Sequence, residues 1–194
     1  MKKVAIITGA SSGIGYHLYK NLKDDYEVFN FSRHSVDTPC DIRYKQSIKA
    51  ALKNINKVDL LINNAGIMFF NKFENITEDE IDNMYDTHVK GTLLMIQAVL
   101  PLMKNGGNII NISSIRGITS APTKGAYSAS KFAVQGLTDS LRLELGKSNI
   151  KITNICPGKV PDSVKYSDIN STVRYILSLS DVTIIRNIIL GGQL

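Results

Sequence analysis

The sequence contains little cysteine and no long hydrophobic run, and each shortage excludes a kind of protein. Its two cysteines among 194 residues, Cys40 and Cys156, lie far apart and lack the spacing of metal ligands. We therefore expect two reduced thiols in or near the core rather than a disulfide, and no metal site. No apolar stretch approaches the roughly 20 residues that cross a bilayer, so we expect no membrane partner.

Dense runs of basic residues are also missing. The chain carries 23 Lys and Arg against 17 Asp and Glu, a formal net charge of +6, and such an excess is compatible with nucleic acid as a partner. The basic residues are scattered, however, and form no arginine-rich arm. A phosphate-bearing cofactor and general solubility explain the charge more simply, so we expect no nucleic-acid partner.

The first residues resemble a signal peptide in part, because Met1–Lys3 is basic and Val4–Ile7 is apolar. The apolar part is only a few residues long and leads directly into a glycine-rich loop, which a signal peptide does not do. We interpret it as a buried first strand and expect a cytoplasmic protein.

Apolar, β-branched runs alternate along the chain with segments of helical periodicity. We predict strands at Val4–Thr8, Glu27–Ser32, Val58–Asn63, Asn108–Ser113, Lys151–Cys156 and Thr183–Leu190, with a short seventh near Val36–Cys40. We predict helices at Ile14–Lys23, Tyr44–Asn54, Glu78–Met103, Ala126–Lys147 and Ser167–Leu179. The near-continuous hydrophobicity of the strands indicates that both of their faces are covered. The sequence thus predicts an α/β fold, a doubly wound Rossmann-type parallel sheet of about seven strands with helices on both faces. No linker or repeat interrupts it, so we expect one domain over residues 1–194.

A glycine-rich loop, Thr8-Gly9-Ala10-Ser11-Ser12-Gly13-Ile14-Gly15, follows the first predicted strand and opens the first helix. A dinucleotide-binding loop requires this position. Gly9 is suited to the tight turn, Gly13 to a close approach of the backbone to a pyrophosphate, and Gly15 to helix–strand packing. The spacing is G-x-x-x-G-x-G rather than G-x-G-x-x-G, and a purely structural turn is the alternative.

The end of the second predicted strand bears on the choice of cofactor. NAD-selective sites usually place an acidic residue there to bind the ribose hydroxyls, but this strand ends Phe31-Ser32-Arg33-His34. The guanidinium of Arg33 suits a 2′-phosphate, unless Arg33 is simply a solvated surface residue. We expect NADP(H) to be preferred, with NAD(H) possible, and His34 to assist or to lie at the surface.

Tyr127 and Lys131 are spaced i, i+4 near the start of a predicted helix, so they lie on one face of it. A nearby cation lowers the pKa of a phenol, which is otherwise near 10. Such a pair occurs by chance in many helices, but Ser114 ends the strand before it, and Asn63–Gly66 and Asn154–Gly158 end two others. Ligands bind at that edge of open α/β sheets.

Together, the motifs T-G-x-x-x-G-x-G, N-N-A-G, Ser, Y-x-x-x-K and P-G resemble those of the short-chain dehydrogenase/reductase family, from Lys3 to about Gly158. The resemblance implies an unusually short member of that family, a single NAD(P)-binding domain with an integrated catalytic site. It implies hydride transfer between NADP(H) and a carbonyl or alcohol carbon of a small substrate, with Tyr127 as acid/base, Lys131 as its modulator and Ser114 on the substrate oxygen. Cofactor contacts are implied for Gly9, Ser11, Ser12, Gly13, Ile14, Gly15, Arg33, Asp41, Asn64, Ala65, Gly66, Tyr127, Lys131, Pro157, Gly158 and Val160. Asp41 would contact the adenine, or else serve only as a turn carboxylate.

Some positions depart from the family pattern. His88 stands where members usually carry an asparagine that holds a relay water, and an imidazole can also hold water or pass a proton. Alternatively the relay is lost, or His88 is only packed. Asp162 replaces a usual threonine, with Ser163 next to it as a substitute. Few residues separate this region from the last helix, so a substrate-covering lid is nearly absent and tight specificity is less expected.

Two functions of different classes therefore remain open. The first is an NADP(H)-dependent carbonyl reductase, which the presence of Ser114, Tyr127 and Lys131 favours. The second is a non-catalytic NADP(H)-binding redox sensor or interaction module on the same fold, because fold does not fix function. The resemblance also implies a homodimer or homotetramer formed through the two long central helices.

Overall fold

The computed structural model describes residues 2–146, 148–180 and 182–191. In these residues the strands are β1 (Lys3–Thr8), β2 (Tyr26–Phe31), β3 (Leu60–Asn63), β4 (Gly107–Ile112), β5 (Ile150–Pro157) and β6 (Asn187–Leu190). The α-helices are α1 (Gly13–Leu22), α2 (Lys45–Ala51), α3 (Glu78–Tyr85), α4 (Thr92–Val99), α5 (Gly125–Glu144) and α6 (Tyr166–Ser178).

The strands form one parallel sheet in the order β2-β1-β3-β4-β5-β6. The predicted fold class is confirmed, but the described residues form six strands rather than about seven. Near Val36–Cys40 there is only an isolated bridge between Ser32 and Pro39. Pro39 has no N–H to give to a ladder, and Val36 is 94% exposed and so has no apolar partner.

Successive residues of each strand enter two different hydrophobic cores, because side chains alternate across a sheet. Ile7 and Ile62 pack on the side of α1 and α6, whereas Ile6 and Leu61 pack on the side of α2 and α4. Strands that are apolar on both faces belong to the interior of a three-layer structure. The continuous hydrophobic runs of the sequence follow directly from this arrangement.

The long helix predicted at Glu78–Met103 is not continuous. It is divided into α3, a π-helical segment (Asp86–Gly91), α4 and a 3-10 turn (Leu100–Leu102). A capping box begins it, since Glu80 N–H donates to Thr77 Oγ1 (3.2 Å) and Thr77 N–H to the Glu80 carboxylate (3.0 Å). Gly91 lies against Ile42 so closely that a Cβ would be 2.7 Å from Ile42 Cδ1. The wider π turn thus coincides with tight packing, and such turns are frequent at functional sites.

Helix α5 and strand β6 also differ in length from their predictions. Helix α5 ends at Glu144, and Lys147, the predicted end, lies outside the described residues. Strand β6 begins at Asn187 rather than Thr183, because just before it the Ile185 carbonyl accepts a hydrogen bond from the Thr153 hydroxyl (2.7 Å) instead of a ladder bond. Among the described helices, none is long and apolar enough to cross a membrane.

Candidate active site

A cleft of about 780 Å³ lies at the carboxyl ends of the parallel strands. Its wall includes every residue predicted for the site except Gly15, which is buried beneath the loop. Those residues are Gly9, Ser11, Ser12, Gly13, Ile14, Arg33, Asp41, Asn64, Ala65, Gly66, His88, Ser114, Tyr127, Lys131, Pro157, Gly158 and Val160. The topology therefore brings together residues that are up to 151 positions apart in sequence, from Gly9 to Val160.

The glycine-rich loop is held against the end of β3 by close backbone contacts. Gly9 has φ +68°, and a Cβ on it would be 2.8 Å from Ala65 Cα. A Cβ on Gly15 would be 2.6 Å from Gly9 O. The Asn64 amide donates to the carbonyls of Thr8 (2.9 Å) and Gly9 (3.1 Å). Asn64 thus fixes the loop rather than presenting its amide to the cleft.

The other end of the loop is open and fits a phosphate. Gly13 has φ +54°, and a Cβ there would meet nothing within 4 Å among the described atoms. Ser12 is the N-cap of α1, but its side chain makes no capping hydrogen bond. The first N–H groups of a helix lack intrahelical acceptors and bind anions readily. The loop therefore provides a cradle of the kind that a dinucleotide pyrophosphate needs.

The end of β2 leads to a cation on the cleft wall. Ser11 and Ser32 share a hydrogen bond of 2.6 Å between their hydroxyls, which ties the loop to β2. Arg33 and His34 follow, exposed and on the cleft wall. No carboxylate lies within 4.0 Å of Arg33 in the part of the chain that the structure describes. Its guanidinium is therefore available to an anionic ligand.

Asp41 lines the cleft, but both of its oxygens are already engaged. Arg43 donates to them from Nε (3.0 Å to Oδ1) and Nη2 (2.7 Å to Oδ2), and its backbone N–H adds a third bond of 3.1 Å. These hydrogen bonds to Arg43 hold the pKa of Asp41 below its usual value. Arg43 also donates to Asn83 (2.8 Å), so the Asp41–Arg43 pair joins the segment before α2 to α3. This arrangement favours the interpretation of Asp41 as a turn carboxylate.

Tyr127, Lys131 and Ser114 meet in the middle of the cleft. Tyr127 is 7% exposed, and burial raises its pKa, while the neighbouring Ser114 hydroxyl acts in the opposite direction. Lys131 Nζ lies 5.9 Å from the Tyr127 ring centroid and donates to Ile112 O (3.2 Å). Burial lowers the pKa of Lys131 to about 8. Lys131 is therefore still mostly charged near neutral pH, directly beside the phenol.

His88 is in the π-helical segment, and both of its ring nitrogens are used within the protein. Its Nε2 accepts from Ile67 N–H (3.1 Å), and its Nδ1 lies 2.8 Å from Ser130 Oγ. Ser130 donates its own proton to Tyr127 O (2.7 Å), so the proton between Nδ1 and Oγ belongs to His88. Burial, and then the charge of Lys131, lower the pKa of His88 to about 2. Neutral His88 thus braces the first turn of α5 and leaves no free nitrogen for a water.

Sequence reasoning missed three cleft residues around Tyr127. Phe70 stands edge-on to Tyr127 with ring centroids 6.0 Å apart, and Lys124 Nζ lies 4.7 Å from the Phe70 centroid. Arg116 donates its backbone N–H to Ser114 Oγ (3.1 Å). Arg116 and Lys124 are two and three positions from Ser114 and Tyr127, and this proximity in sequence was the available signal.

The short segment after Pro157 keeps its carboxylate away from the cleft, although Lys159 lies on the cleft wall. Asp162 and Ser163 are exposed, and within the described residues neither lines the cleft. Asp162 pairs with Lys159 at 2.5 Å, and Ser163 Oγ donates to Lys159 O (3.1 Å). Although Asp162 stands where the family usually has a threonine, its carboxylate would therefore not repel a phosphate bound in the cleft. Tyr166, at the start of α6, lines the cleft instead.

Comparison with known proteins gives concordant results. Residues 3–171 match the family model described as short chain dehydrogenase. An uncharacterised oxidoreductase of Staphylococcus aureus strain USA300 is 36% identical over an alignment of length 202. The alignment covers 93% of this chain and 87% of that protein. The solved structure of a metagenomic short-chain oxidoreductase in complex with NADP is 27% identical, with a TM-score of 0.88 over 99% of this chain and 97% of that one. Escherichia coli serine dehydrogenase, at 24% identity, has the same fold (TM-score 0.90, 96% of each chain).

Proposed function

This chain belongs to the short chain dehydrogenase family of oxidoreductases, and we propose that it transfers a hydride between NADP(H) and a carbonyl or alcohol carbon of a small substrate. The observation that carries the proposal is the meeting of Tyr127, Lys131 and Ser114 in the cleft that also contains the open glycine cradle. We propose further that residues 1–194 form one domain in which cofactor site and catalytic site are the same cleft.

The cradle supports a nicotinamide cofactor, which supplies or accepts the hydride when bound. The loop from Gly9 to Ile14 would hold the pyrophosphate, Gly66 and Ala65 the adenine-side ribose, and the Pro157–Val160 segment the nicotinamide. Arg33, without an acidic partner among the described residues, would bind a 2′-phosphate bidentately. The NADP in the 27% identical metagenomic oxidoreductase agrees with that preference.

Tyr127 is the proposed proton donor to the substrate oxygen during reduction, and the acceptor in the reverse direction. A phenol works poorly near neutral pH, because lowering its pKa by roughly 3 units requires about 4 kcal/mol of differential interaction. Burial alone acts in the wrong direction here. The Ser114 hydroxyl acts against this rise and would donate to the oxygen as negative charge develops there. The charge of Lys131, 5.9 Å from the ring centroid, would also favour the phenolate.

His88 is proposed as a positioning residue rather than a proton relay. Its contacts run through Ser130 to the backbone carbonyl of Tyr127, so it sets the depth of the phenol in the cleft. Because both ring nitrogens of His88 are bonded within the protein, the site has no proton relay through this residue. That observation favours the second candidate function, a non-catalytic NADP(H)-binding sensor.

One assay separates the two candidates. Purified protein is mixed with NADPH or NADH and a panel of aldehydes, ketones and quinones, and cofactor oxidation is followed by absorbance. We expect turnover with NADPH, weaker turnover with NADH, and a loss of at least 10³-fold in Tyr127→Phe with NADPH affinity kept within about threefold.

Tyr175→Phe makes the same change at an exposed tyrosine of α6 outside the cleft wall, so it serves as the matched control and should retain activity. Cofactor binding without turnover in the unmodified protein would contradict the enzyme and support the sensor. Turnover that prefers NADH would remove the role of Arg33 alone.

A further inference from the structure

The charges on the cleft wall are not balanced. Of the residues that the structure describes, only one carboxylate, that of Asp41, lies on the wall, and it is occupied by Arg43. Lys159 also lies on the wall, and it is paired with Asp162, which lies outside it. The other cations of the wall are Arg33, Arg116, Lys124 and Lys131. Among the described residues, none of these four has a carboxylate within 4.0 Å.

Two of the four cations already have a proposed use. Arg33 stands at the end of β2, where the 2′-phosphate of the cofactor would lie, and Lys131 is buried beside Tyr127. Arg116 and Lys124 have none, although both belong to the segment that joins β4 to α5 and therefore flank the reacting end of the cleft. An excess of positive charge in a cleft raises the local concentration of anions.

Arg116 is fixed in position by hydrogen bonds, but some of its guanidinium N–H groups have no acceptor among the described residues. Its backbone N–H is bound to Ser114 Oγ (3.1 Å), which fixes its Cα next to the proposed oxygen-binding hydroxyl. Its Nη1 donates to Ser120 O (3.0 Å), and this holds the guanidinium in place. In the described residues Nε and Nη2 make no hydrogen bond, so one edge of the guanidinium is free to bind a carboxylate bidentately.

Lys124 is held in place by an aromatic ring rather than by an acid. Its Nζ lies 4.7 Å from the Phe70 centroid, and Phe70 stands edge-on to Tyr127. The ring quadrupole attracts the cation electrostatically, so Phe70 holds Nζ at this border of the cleft without neutralising its charge. Met68 and Phe70 are 60% and 46% exposed on the same wall, so the reacting end of the cleft is apolar with a cationic border.

We propose that the substrate is a small anionic carbonyl compound, an oxo acid in its simplest form, whose carboxylate binds Arg116 and Lys124. Its carbonyl lies at Tyr127 and Ser114, and the carbon chain between the two groups packs on Phe70 and Met68. This inference rests on the proposed function, for which it names the substrate class.

The reaction balances without a further reactant. The carbonyl carbon gains a hydride, the carbonyl oxygen gains the Tyr127 proton, and Tyr127 recovers a proton from solvent. An oxo acid, NADPH and a proton thus give a hydroxy acid and NADP⁺, and the carboxylate is unchanged. Its charge serves only to orient the carbonyl, which is how binding energy remote from the reacting atoms contributes to rate.

The test compares acids with their uncharged esters. The probes are 4-formylbenzoate and its methyl ester, and 4-oxopentanoate and its methyl ester, each with NADPH. We expect kcat/KM for an acid to exceed that for its ester at least tenfold. Arg116→Gln and Lys124→Met should each lower kcat/KM for the acid at least tenfold and change that for the ester less than threefold. Lys49→Met removes one exposed positive charge outside the cleft wall and should change neither.

A second measurement does not depend on turnover. Binding of 4-(hydroxymethyl)benzoate to the NADP⁺-loaded protein is followed by calorimetry, and we expect it to weaken at least tenfold in Arg116→Gln and Lys124→Met but not in Lys49→Met. Turnover of the esters at least as fast as the acids would overturn the inference and leave the proposed function intact. Absence of all turnover would overturn the proposed function, and calorimetry would then decide: binding that the two variants weaken retains the anion site, whereas no binding overturns it too.

Discussion

His88 combines deep burial with a neutral ring, and this has a consequence for stability. Its pKa is about 2 in the folded protein and 6.5 when unperturbed. Below about pH 6.5 the unfolded chain therefore binds a proton that the folded protein does not, and the free energy of unfolding decreases as the pH falls.

We predict that this one group lowers the free energy of unfolding by about 2 kcal/mol between about pH 7.5 and about pH 5.0, at 1.36 kcal/mol per unit below pH 6.5. When His88→Asn is unfolded by urea at the two pH values, its free energy of unfolding should fall by about 2 kcal/mol less than that of the unmodified protein. His34→Asn, which removes an exposed histidine, should behave as the unmodified protein. An equal loss in all three proteins would show that His88 is not the group that titrates.

At the same scale, the sequence could predict where some side chains lie but not what others contact. The position of Tyr127, Lys131 and Ser114 in one cleft was predictable, because Ser114 follows a strand and the other two share one face of a helix. The engagement of Asp41 by Arg43 was not, since it depends on the path of a turn that no periodicity encodes. For the same reason the sequence left open whether His88 holds a water, has lost the relay or is only packed, since its partners, Ile67 N–H and Ser130 Oγ, come from distant segments.

At the scale of elements, the glycine-rich loop separates into a packing end and a binding end. We predict that Gly15→Ala lowers the free energy of unfolding by about 3 kcal/mol, because its Cβ would overlap the Gly9 carbonyl at 2.6 Å. Gly13→Ala should lower it by only about 1 kcal/mol, the strain of a left-handed alanine, since it meets no protein atom within 4 Å.

NADPH binding should show the opposite contrast. The Gly13→Ala methyl group would occupy the cradle, so we expect the Kd for NADPH to rise at least tenfold in a protein that remains folded. Urea titration and fluorescence titration with NADPH measure the two effects separately. If Gly13→Ala bound NADPH as well as the unmodified protein, the phosphates would have to lie elsewhere.

Element boundaries were the least predictable part of the fold. Apolar periodicity gave every long strand and helix, because both sheet faces are covered and the pattern is strong. It could not give the π-helical segment at Asp86–Gly91, whose apolar spacing differs little from that of an α-helix. Nor could it show that the Val36–Cys40 segment lacks a neighbour to pair with beyond a single bridge.

At the scale of the whole molecule, large apolar side chains remain exposed on three helices. Tyr85, Leu93 and Phe132 are 38%, 49% and 45% exposed on α3, α4 and α5, and a Cβ on Gly136, one turn beyond Phe132, would meet nothing within 4 Å. Large exposed apolar side chains on adjacent helices are typical of protein interfaces. We propose that two copies of the chain associate through these helices, as a homodimer or as part of a homotetramer.

We predict a dimeric or tetrameric mass by light scattering at micromolar concentration, and a monomeric mass for Leu93→Glu/Phe132→Glu, because buried unpaired carboxylates would oppose association. Val36→Glu/Val182→Glu places the same charges at positions 94% and 92% exposed and should leave the mass unchanged. A monomeric mass for the unmodified protein would refute the proposal.

The order of the strands also bears on how the chain folds during its synthesis. From β4 onward, each strand pairs with the one made immediately before it, so β4, β5 and β6 are added in turn to a growing edge. N-terminal parts of a protein emerge from the ribosome first and begin to fold there. The glycine-rich loop and its anchor Asn64 are complete once β3 has emerged, whereas Ser114 and Tyr127 follow later. The nascent chain thus acquires its phosphate cradle before it acquires any of its proposed catalytic groups.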